Sequence, residues 1–358
     1  MSHYDNSNRR YDIDWLRVIA IGVLLLFHIM VIFQLYAKQL EFVQSPDPLE
    51  ILLVPMSLFG VMRIPLLFFV SGMGVYFSLQ KRTWQQFLGE RTLRILVPLI
   101  FGTAVIVPIQ LYIFAEFYSN EFIYKVDVHH LWFLLNIYMY VLWFFALFYF
   151  FKEVTENKYF DYVRSFLKKY PLAIYLFIIP YVIQAFFIPA DRWFTQFYDS
   201  GVGLILGAIA FLLGFIFVAI GESFWKAVSK YKYYSLILAF IIFLIRIFIY
   251  KGRIAHPITA VESIMWIYAS LGLGYRFLNR PGKALSYLSK AAYPIYIVHM
   301  IFLNLGGFII LPFNLNPWLS FILIILFTFV GSFVSYEIIR RIILLRPLFG
   351  MKIKRRLM

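Results

Sequence analysis

The chain has 358 residues, of which 62% are hydrophobic and 14% are charged, and it contains no cysteine. This composition excludes a soluble globular domain and is typical of a polytopic membrane protein. The lack of cysteine also excludes disulfides, thiol nucleophiles and cysteine-ligated metals.

Ten apolar stretches follow one another along the chain, and each is long enough to cross about 30 Å of hydrocarbon as a helix. The connections between them are short, and no stretch rich in Ser, Gly or Pro suggests a linker to a second domain. We therefore expect an all-α fold with about ten transmembrane helices in one membrane domain, residues 1–358, with no appended soluble domain. The stretches are 15–37, 51–79, 95–117, 131–151, 171–188, 202–220, 233–250, 258–278, 291–310 and 317–339.

The distribution of the net charge of +15 predicts the topology. Between the predicted spans, 25 Lys and Arg residues lie in segments on the side of the N-terminus, and 5 lie in segments on the opposite side. Because basic residues accumulate on the cytoplasmic side, we expect both termini in the cytoplasm. The basic charge is thus mostly a topology signal, with a share left for anionic ligands. We expect a multi-pass protein of the cell (plasma or inner) membrane, with the lipid bilayer and not a nucleic acid as its partner.

The first span carries Arg17 at its entrance and His28 near its middle. Their separation of eleven residues is roughly three helical turns, so both side chains lie on one helix face about 16 Å apart. Arg17 could instead form a helix-end ion pair with Asp14, but that interpretation leaves His28 unexplained. His299, in Y-P-I-Y-I-V-H of the ninth span, lies at a similar depth because spans one and nine run in the same direction. Each histidine could hold a neighbouring helix by a hydrogen bond or act as a general base.

Further arginines lie in and after the second span. Arg63 lies too deep to reach the membrane surface easily, so it must face protein or water. The pair Ser71 and Gly72 in F-F-V-S-G favours close helix packing over a nucleophilic serine. Arg91 and Arg94, in R-T-L-R-I-L-V-P, share a helix face at the cytoplasmic surface. They are either topology signals alone or a fork suited to the phosphates of an anionic ligand.

A polar cluster precedes the fourth span on the outer side, in V-D-V-H-H-L-W-F. It contains Asp127, His129, His130 and Trp132, and Glu262 of the eighth span lies near the same side. Two adjacent histidines cannot share one helix face, so we predict no metal site. Histidine, acid and an aromatic platform match a sugar hydroxyl, although Trp132 could equally be an interface anchor.

Taken in order, these motifs resemble the acyltransferase-3 family of integral membrane O-acyltransferases. The motifs are D-W-L-R followed by ten residues and a histidine, F-F-V-S-G, R-x-x-R-I-x-x-P, H-L-W-F-L and Y-P-I-Y-I-V-H, and the resemblance covers about residues 11–350. The opening Y-D-I-D-W-L-R and the closing Y-E…R-P-L-F-G are most similar to the glucan biosynthesis protein C branch, which is associated with succinylation of extracytoplasmic glucans.

The resemblance implies transfer of an acyl group, succinyl or acetyl, from cytoplasmic acyl-CoA to a carbohydrate hydroxyl across the membrane. Some members complete the transfer with a C-terminal soluble domain, so here the membrane unit is expected to acylate the acceptor itself or to deliver the acyl group to a partner. A homo-oligomer is compatible with the sequence. The alternative is a carrier or flippase for an anionic lipid or sugar, although the internal repeats typical of transporters are missing. The expected catalytic residues are His28, Arg17, His299 and Arg63, with His28 as the general base or as the acceptor of the acyl group itself and with Arg63 or His299 as a donor to the developing oxyanion. Acyl-CoA is expected to bind to Arg91, Arg94 and Arg17, and the acceptor to His129, His130, Trp132 and Glu262.

Overall fold

The computed structural model describes residues 9–154, 158–194 and 200–352, and the side chains of these residues except those of 152–154, 158 and 159. Within these ranges the regular structure is entirely helical, as the composition predicts. Residues 354–356, which contribute to the basic charge of the C-terminal segment, lie outside the described ranges. The α-helices are α1 (Tyr11–Ile32), α2 (Leu53–Leu79), α3 (Trp84–Arg91), α4 (Val97–Phe101), α5 (Val107–Phe117), α6 (Trp132–Trp143), α7 (Phe145–Val154), α8 (Lys158–Lys169), α9 (Ile179–Ala185), α10 (Gly201–Ile220), α11 (Glu222–Lys230), α12 (Lys232–Leu244), α13 (His256–Leu273), α14 (Lys283–Ile310) and α15 (Pro317–Ile339).

Shorter helical segments connect or extend these helices. Wider π turns follow α3, α4, α12 and α13, and such turns often accompany functional sites because they change the direction of side chains. The π segments are Thr92–Leu96, Gly102–Ile106, Ile245–Ile249 and Gly274–Leu278. The 3₁₀ segments are Lys38–Leu40, Glu50–Leu52, His129–Leu131, Pro171–Ile178, Leu311–Phe313 and Pro347–Phe349.

Seven helical stretches among the described residues are long and apolar enough to cross a membrane. His129–Trp143 and Phe145–Phe151 make an eighth candidate if they form one span, because the chain bends by 58° between them. Pro171–Ala185 is apolar but shorter. The all-helical, multi-pass character is therefore confirmed, whereas the count of ten crossings and the cytoplasmic termini stay predictions. The seven stretches are Tyr11–Ile32, Glu50–Leu79, Trp84–Phe117, Gly201–Ile220, Lys232–Ile249, Lys283–Phe313 and Pro317–Ile339.

The helices gather into two compact units, each assembled from separate parts of the chain. Unit 1 combines the chain up to Ala20 with Val61–Gln80 and Leu147–Lys290. Unit 2 combines Ile21–Gly60, Lys81–Ala146 and the chain from Ala291 onward. The single membrane domain inferred from the sequence stays a prediction, and each unit is described by itself below.

In unit 1, close packing of α2 on α10 depends on two glycines. A Cβ atom at Gly72 would lie only 1.8 Å from the Phe211 carbonyl oxygen, and a Cβ at Gly214 would lie 2.0 Å from that of Phe69. Each glycine thus receives the backbone of the opposite helix, as small residues allow in membrane proteins. The prediction that F-F-V-S-G serves close helix packing is confirmed.

In unit 2, a hydrophobic cluster surrounds the C-terminal ends of α1 and α14 and the N-terminal end of α2. It begins at Ile29 on α1 and at Met300 on α14, and it includes Phe42 and Val43 from the connection after α1. These side chains are nearly fully buried. Because His28 and His299 immediately precede Ile29 and Met300, the packed cluster fixes the backbone on which both histidines stand.

Candidate active site

The centre of unit 2 is a pair of histidines from α1 and α14. The Nδ1 atom of His28 lies 2.9 Å from Nε2 of His299. Their rings are nearly parallel, with 7° between the planes and 5.2 Å between the centroids. His299 is fully buried and His28 is half-buried. The structure thus brings together two residues 271 positions apart in the sequence.

The hydrogen bonds of the pair determine which nitrogen carries each proton. The Nδ1 atom of His299 lies 2.6 Å from the carbonyl oxygen of Tyr296, which can only accept, so this nitrogen carries the hydrogen. In a neutral His299 the Nε2 atom is then an acceptor, and it receives the Nδ1–H of His28. The remaining lone pair of His28 is therefore on Nε2, which is the basic nitrogen of the pair.

A third histidine, His130, packs against this pair. Its ring lies 5.3 Å from that of His299 at 88°, and the side chain is buried. Two hydrogen bonds attach it to α14: its Nε2–H donates to the Ile297 carbonyl oxygen over 3.1 Å, and the Tyr296 hydroxyl donates to the His130 carbonyl oxygen over 2.6 Å. His130 is therefore part of the same cluster as His299 and does not stand alone at the surface.

His129 has a left-handed backbone, with φ of +39°, and its side chain contacts different residues from that of His130. Its Nε2 lies 3.4 Å from a carboxylate oxygen of Glu41, and its Nδ1 lies 2.8 Å from Nε2 of Gln110. Glu41 is also left-handed, with φ of +60°. Such conformations are costly for non-glycine residues and concentrate at functional sites.

Two carboxyl groups beside His129 have lowered pKa values. The hydrogen bond from His129 holds the pKa of the Glu41 carboxyl below its usual value, against the opposing effect of burial. The ion pair with Lys125, at 2.6 Å, does the same for the pKa of Asp127, which also accepts the backbone N–H of His129. Both carboxyl groups are thus ionised at neutral pH, and they hold the segment that carries the adjacent histidines.

Arg91 and Arg94 lie at another edge of unit 2, where α3 passes into the π turn Thr92–Leu96. The Nε–H of Arg94 donates to the Gly350 carbonyl oxygen over 3.2 Å, and its Nη1 pairs with Glu90 over 3.2 Å. The side chain of Arg94 is 51% exposed. Arg91 is half-buried, with its guanidinium 5.3 Å from the centroid of the Phe87 ring, and the Tyr293 hydroxyl donates to the Arg94 carbonyl oxygen over 2.9 Å. The two arginines therefore lie three residues apart at one edge of unit 2, with Arg94 exposed and Arg91 half-buried.

Arg17 and Arg63 belong to unit 1. Arg17 pairs with Asp14 over 3.5 Å, which is the i, i+3 ion pair considered from the sequence. Its guanidinium also lies against α2, since a Cβ at Gly74 would be 3.6 Å from Nη2 of Arg17. Arg63 is 8% exposed within α2. The grouping of Arg17 with Arg91 and Arg94, and the catalytic roles of Arg17 and Arg63, stay predictions.

The two remaining members of the predicted acceptor site differ in their surroundings. Glu262 belongs to unit 1 and is fully buried, where its carboxylate accepts hydrogen bonds of 2.6 and 2.9 Å from Nε and Nη2 of Arg246. This bidentate pair accounts for its burial. Trp132 is half-buried at the first position of α6 in unit 2. The binding of an acceptor by either residue stays a prediction.

Several residues of unit 2 that shape the site are not among the candidates identified from the sequence. Glu41 and Gln110 contact His129, Tyr296 contacts both His299 and His130, and Gly350 contacts Arg94. Tyr296 lies within the Y-P-I-Y-I-V-H motif and Gly350 ends the R-P-L-F-G motif, so these two motifs were the signals that could have identified them. Glu41 lies in a connection, and Gln110 is a lone amide in an apolar helix.

Comparison with known proteins gives one match. A family model described as an acyltransferase domain matches residues 10–337. No curated protein and no solved structure matches the chain. The match covers most of the chain and includes all three clustered histidines, Arg91 and Arg94, but it ends before Gly350.

Proposed function

The chain belongs to the acyltransferase-3 family, and from this membership and the histidine pair we propose that it transfers an acyl group from acyl-CoA to a carbohydrate hydroxyl, with His28 as the general base. Membership supports a membrane acyltransferase in general. The donor, the acceptor and the roles of individual residues are the proposal. The acceptor proposed from the sequence motifs is an extracytoplasmic glucan, and the acyl group is succinyl or acetyl.

The observation that carries the proposal is the contact between His28 Nδ1 and His299 Nε2. It orients the ring and supports the positive charge that His28 acquires when Nε2 takes a proton, as the third member of a catalytic triad does. Both ring nitrogens of His299 are engaged, which favours a positioning role over the oxyanion-binding role considered from the sequence.

The reaction balances with one base. His28 Nε2 takes the proton of the acceptor hydroxyl while its oxygen forms a bond to the thioester carbonyl carbon. When the carbon–sulfur bond breaks, the departing thiolate takes that proton from His28 and leaves as the thiol. The acyl group ends on the acceptor oxygen, and His28 returns to its neutral form.

The donor is proposed to bind at the region of Arg91 and Arg94. The exposed Arg94 and the half-buried Arg91, three residues away, can bind the phosphates of coenzyme A, because arginine pairs with phosphate oxygens in a bidentate geometry. Arg94 has a carboxylate partner, Glu90, but that carboxylate is shared with Arg82 at 2.5 Å. The region therefore retains a positive charge for an anionic ligand.

The test is transfer of label by the full chain in lipid nanodiscs. The protein is incubated with radiolabelled succinyl-CoA or acetyl-CoA and with cell-envelope glucans, and label is measured on the glucan. We expect transfer by the wild type and a loss of about 10²–10⁴-fold in His28→Ala. A carrier or flippase would move its cargo without transferring label, so absence of transfer to any glycan would refute the proposal.

Two variants of His299 test its positioning role. His299→Gln places an amide oxygen near the Nε2 position and can still accept the Nδ1–H of His28, whereas His299→Asn cannot reach that position. We expect kcat to fall more in His299→Asn than in His299→Gln, and we expect the KM for acyl-CoA to be unchanged in both variants. Equal losses in both variants, or a change in KM alone, would contradict the role.

A further inference from the structure

Beside the histidine pair, two buried atoms can only accept hydrogen bonds. His130 is 7% exposed, and its Nε2–H donates to the Ile297 carbonyl oxygen, so in the neutral ring Nδ1 is an acceptor. No donor for this Nδ1 exists among the described residues. Buried polar atoms are nearly always hydrogen-bonded, so this atom points to a ligand that supplies a hydrogen.

The second atom is Oε1 of Gln110. This side chain is fully buried. In a neutral His129 that donates its Nε2–H to the Glu41 carboxylate, Nδ1 is an acceptor, and its partner in the 2.8 Å contact is the amide nitrogen of Gln110. The amide oxygen of Gln110 takes no part in this contact, and it accepts no hydrogen bond from any residue that the structure describes.

The two acceptors belong to one row of side chains in unit 2. Gln110 contacts His129, whose ring centroid is 6.0 Å from that of His130, and His130 in turn lies 5.3 Å from His299. The row therefore leads from Gln110 to the partner of the proposed base, His28. Both acceptors are uncharged, and the ionised Glu41 carboxylate adjoins the row.

We propose that His130 Nδ1 and Gln110 Oε1 form a subsite that binds hydroxyl groups of the acceptor, next to the hydroxyl that His28 deprotonates. The subsite rests on the proposed function, and it specifies the acceptor as a neutral polyol. Hydroxyls supply the hydrogens that both atoms need, whereas an ionised carboxylate or phosphate offers only acceptors and would be repelled by Glu41.

Two substitutions of His130 separate ligand binding from a structural role. In His130→Asn the amide oxygen lies near the position of Nδ1, so an acceptor is kept while the bond to Ile297 is lost. In His130→Gln the amide nitrogen lies near the position of Nε2, so the bond to Ile297 is kept while the acceptor is lost. We expect His130→Gln to raise the KM for the glucan about tenfold. His130→Asn should bind the glucan with most of the wild-type affinity, and the KM for acyl-CoA should be unchanged in both variants.

The matched control is His256, which belongs to unit 1 and also contacts a carbonyl oxygen, that of Pro189, through Nε2 at 3.1 Å. His256→Asn and His256→Gln should both leave the KM for the glucan unchanged. For Gln110, the substitution Gln110→Met removes the acceptor at similar length and should raise the same KM. Better function in His130→Gln than in His130→Asn would show that the bond to Ile297 is what matters, and would overturn the proposal.

A binding measurement keeps this inference separate from the proposed chemistry. Calorimetric titration of the full chain with a linear glucose oligosaccharide reports acceptor binding without turnover. Binding that weakens in His130→Gln and in Gln110→Met supports the subsite even if no label is transferred. Wild-type transfer with unaltered binding in both variants would refute the subsite while leaving the acyltransferase proposal intact.

Discussion

Replacing Gly350 by alanine should weaken the binding of acyl-CoA through Arg94, although Gly350 lies beyond the matched acyltransferase domain. Gly350 ends the 3₁₀ turn Pro347–Phe349 with a left-handed backbone, φ of +67°. Its carbonyl oxygen accepts the Nε–H of Arg94. A Cβ at this position would lie 2.4 Å from Cε1 of Tyr293 and 2.9 Å from the Arg94 carbonyl oxygen. Alanine therefore meets both a backbone penalty and a steric clash.

The size of the effect follows from these two terms. A left-handed backbone costs alanine about 1–2 kcal/mol, and displacing the Tyr293 ring adds about 1–3 kcal/mol of overpacking. The sum, about 2–5 kcal/mol, opposes docking of the segment 346–351. The Arg94 side chain is 51% exposed, so the orientation it loses is worth at most about 1 kcal/mol. That loss corresponds to a rise of about fivefold in the KM for acyl-CoA.

The assay compares acyl-CoA with the N-acetylcysteamine thioester of the same acyl group, which lacks the phosphates. Gly350→Ala should raise the KM for acyl-CoA and leave that for the short thioester unchanged. Gly252→Ala is the matched control, since Gly252 also has a left-handed backbone, φ of +86°, but a Cβ there would meet no atom within 4 Å. An equal rise in KM for both substrates in Gly350→Ala would refute the reasoning. The same rise in the KM for acyl-CoA in Gly252→Ala would also refute it.

Three further predictions concern packing, a buried ion pair and pH. Gly72→Ala should lower the thermal midpoint in detergent, because its Cβ would lie 1.8 Å from the Phe211 carbonyl oxygen and overpacking costs about 1–3 kcal/mol or more. Glu262→Gln should destabilise unit 1 by about 3–5 kcal/mol in the same measurement, because it removes the charge that compensates the buried Arg246. The pKa of Glu41 is lowered from 4.5, so the stability it gives its segment is complete above pH 4.5 and is lost as the pH falls through the lowered value. Glu41→Gln should remove that loss in hydrogen exchange of residues 33–49.

Each of these three has a control. Gly22→Ala adds a Cβ to α1 with no atom within 4 Å, so it should leave the thermal midpoint nearly unchanged or raise it. Replacing the whole ion pair, with Arg246→Met and Glu262→Leu together, should cost less than Glu262→Gln alone. An acid-side loss of protection in residues 33–49 that persists in Glu41→Gln would assign the effect to another group.

The helical class and several of the site residues could be predicted from the sequence alone. Hydrophobicity over stretches of about twenty residues is a local property, so it predicts helices without knowledge of their packing. The free-energy cost of an ionisable group inside such a stretch is also a local property, so it identifies His28, His299 and Arg63 as candidate functional residues. The sequence predicted comparable membrane depths for His28 and His299, because the two spans run in the same direction and each histidine lies well inside its span. Fixed spacing likewise identified the pair Arg91 and Arg94.

The tertiary structure alone decided which of these residues meet and in what chemical state. The tautomer of His28 follows from a carbonyl oxygen of Tyr296, and the placement of His130 follows from a carbonyl oxygen of Ile297. Every residue has a carbonyl group, so no pattern of side chains in the sequence can show which of them is used. The left-handed backbones of Glu41 and His129 are equally invisible, since a positive φ is uncommon for every residue other than glycine and the surrounding contacts stabilise it. Contacts between residues more than a hundred positions apart depend on how the helices pack, and packing is a property of the whole chain that no local stretch determines.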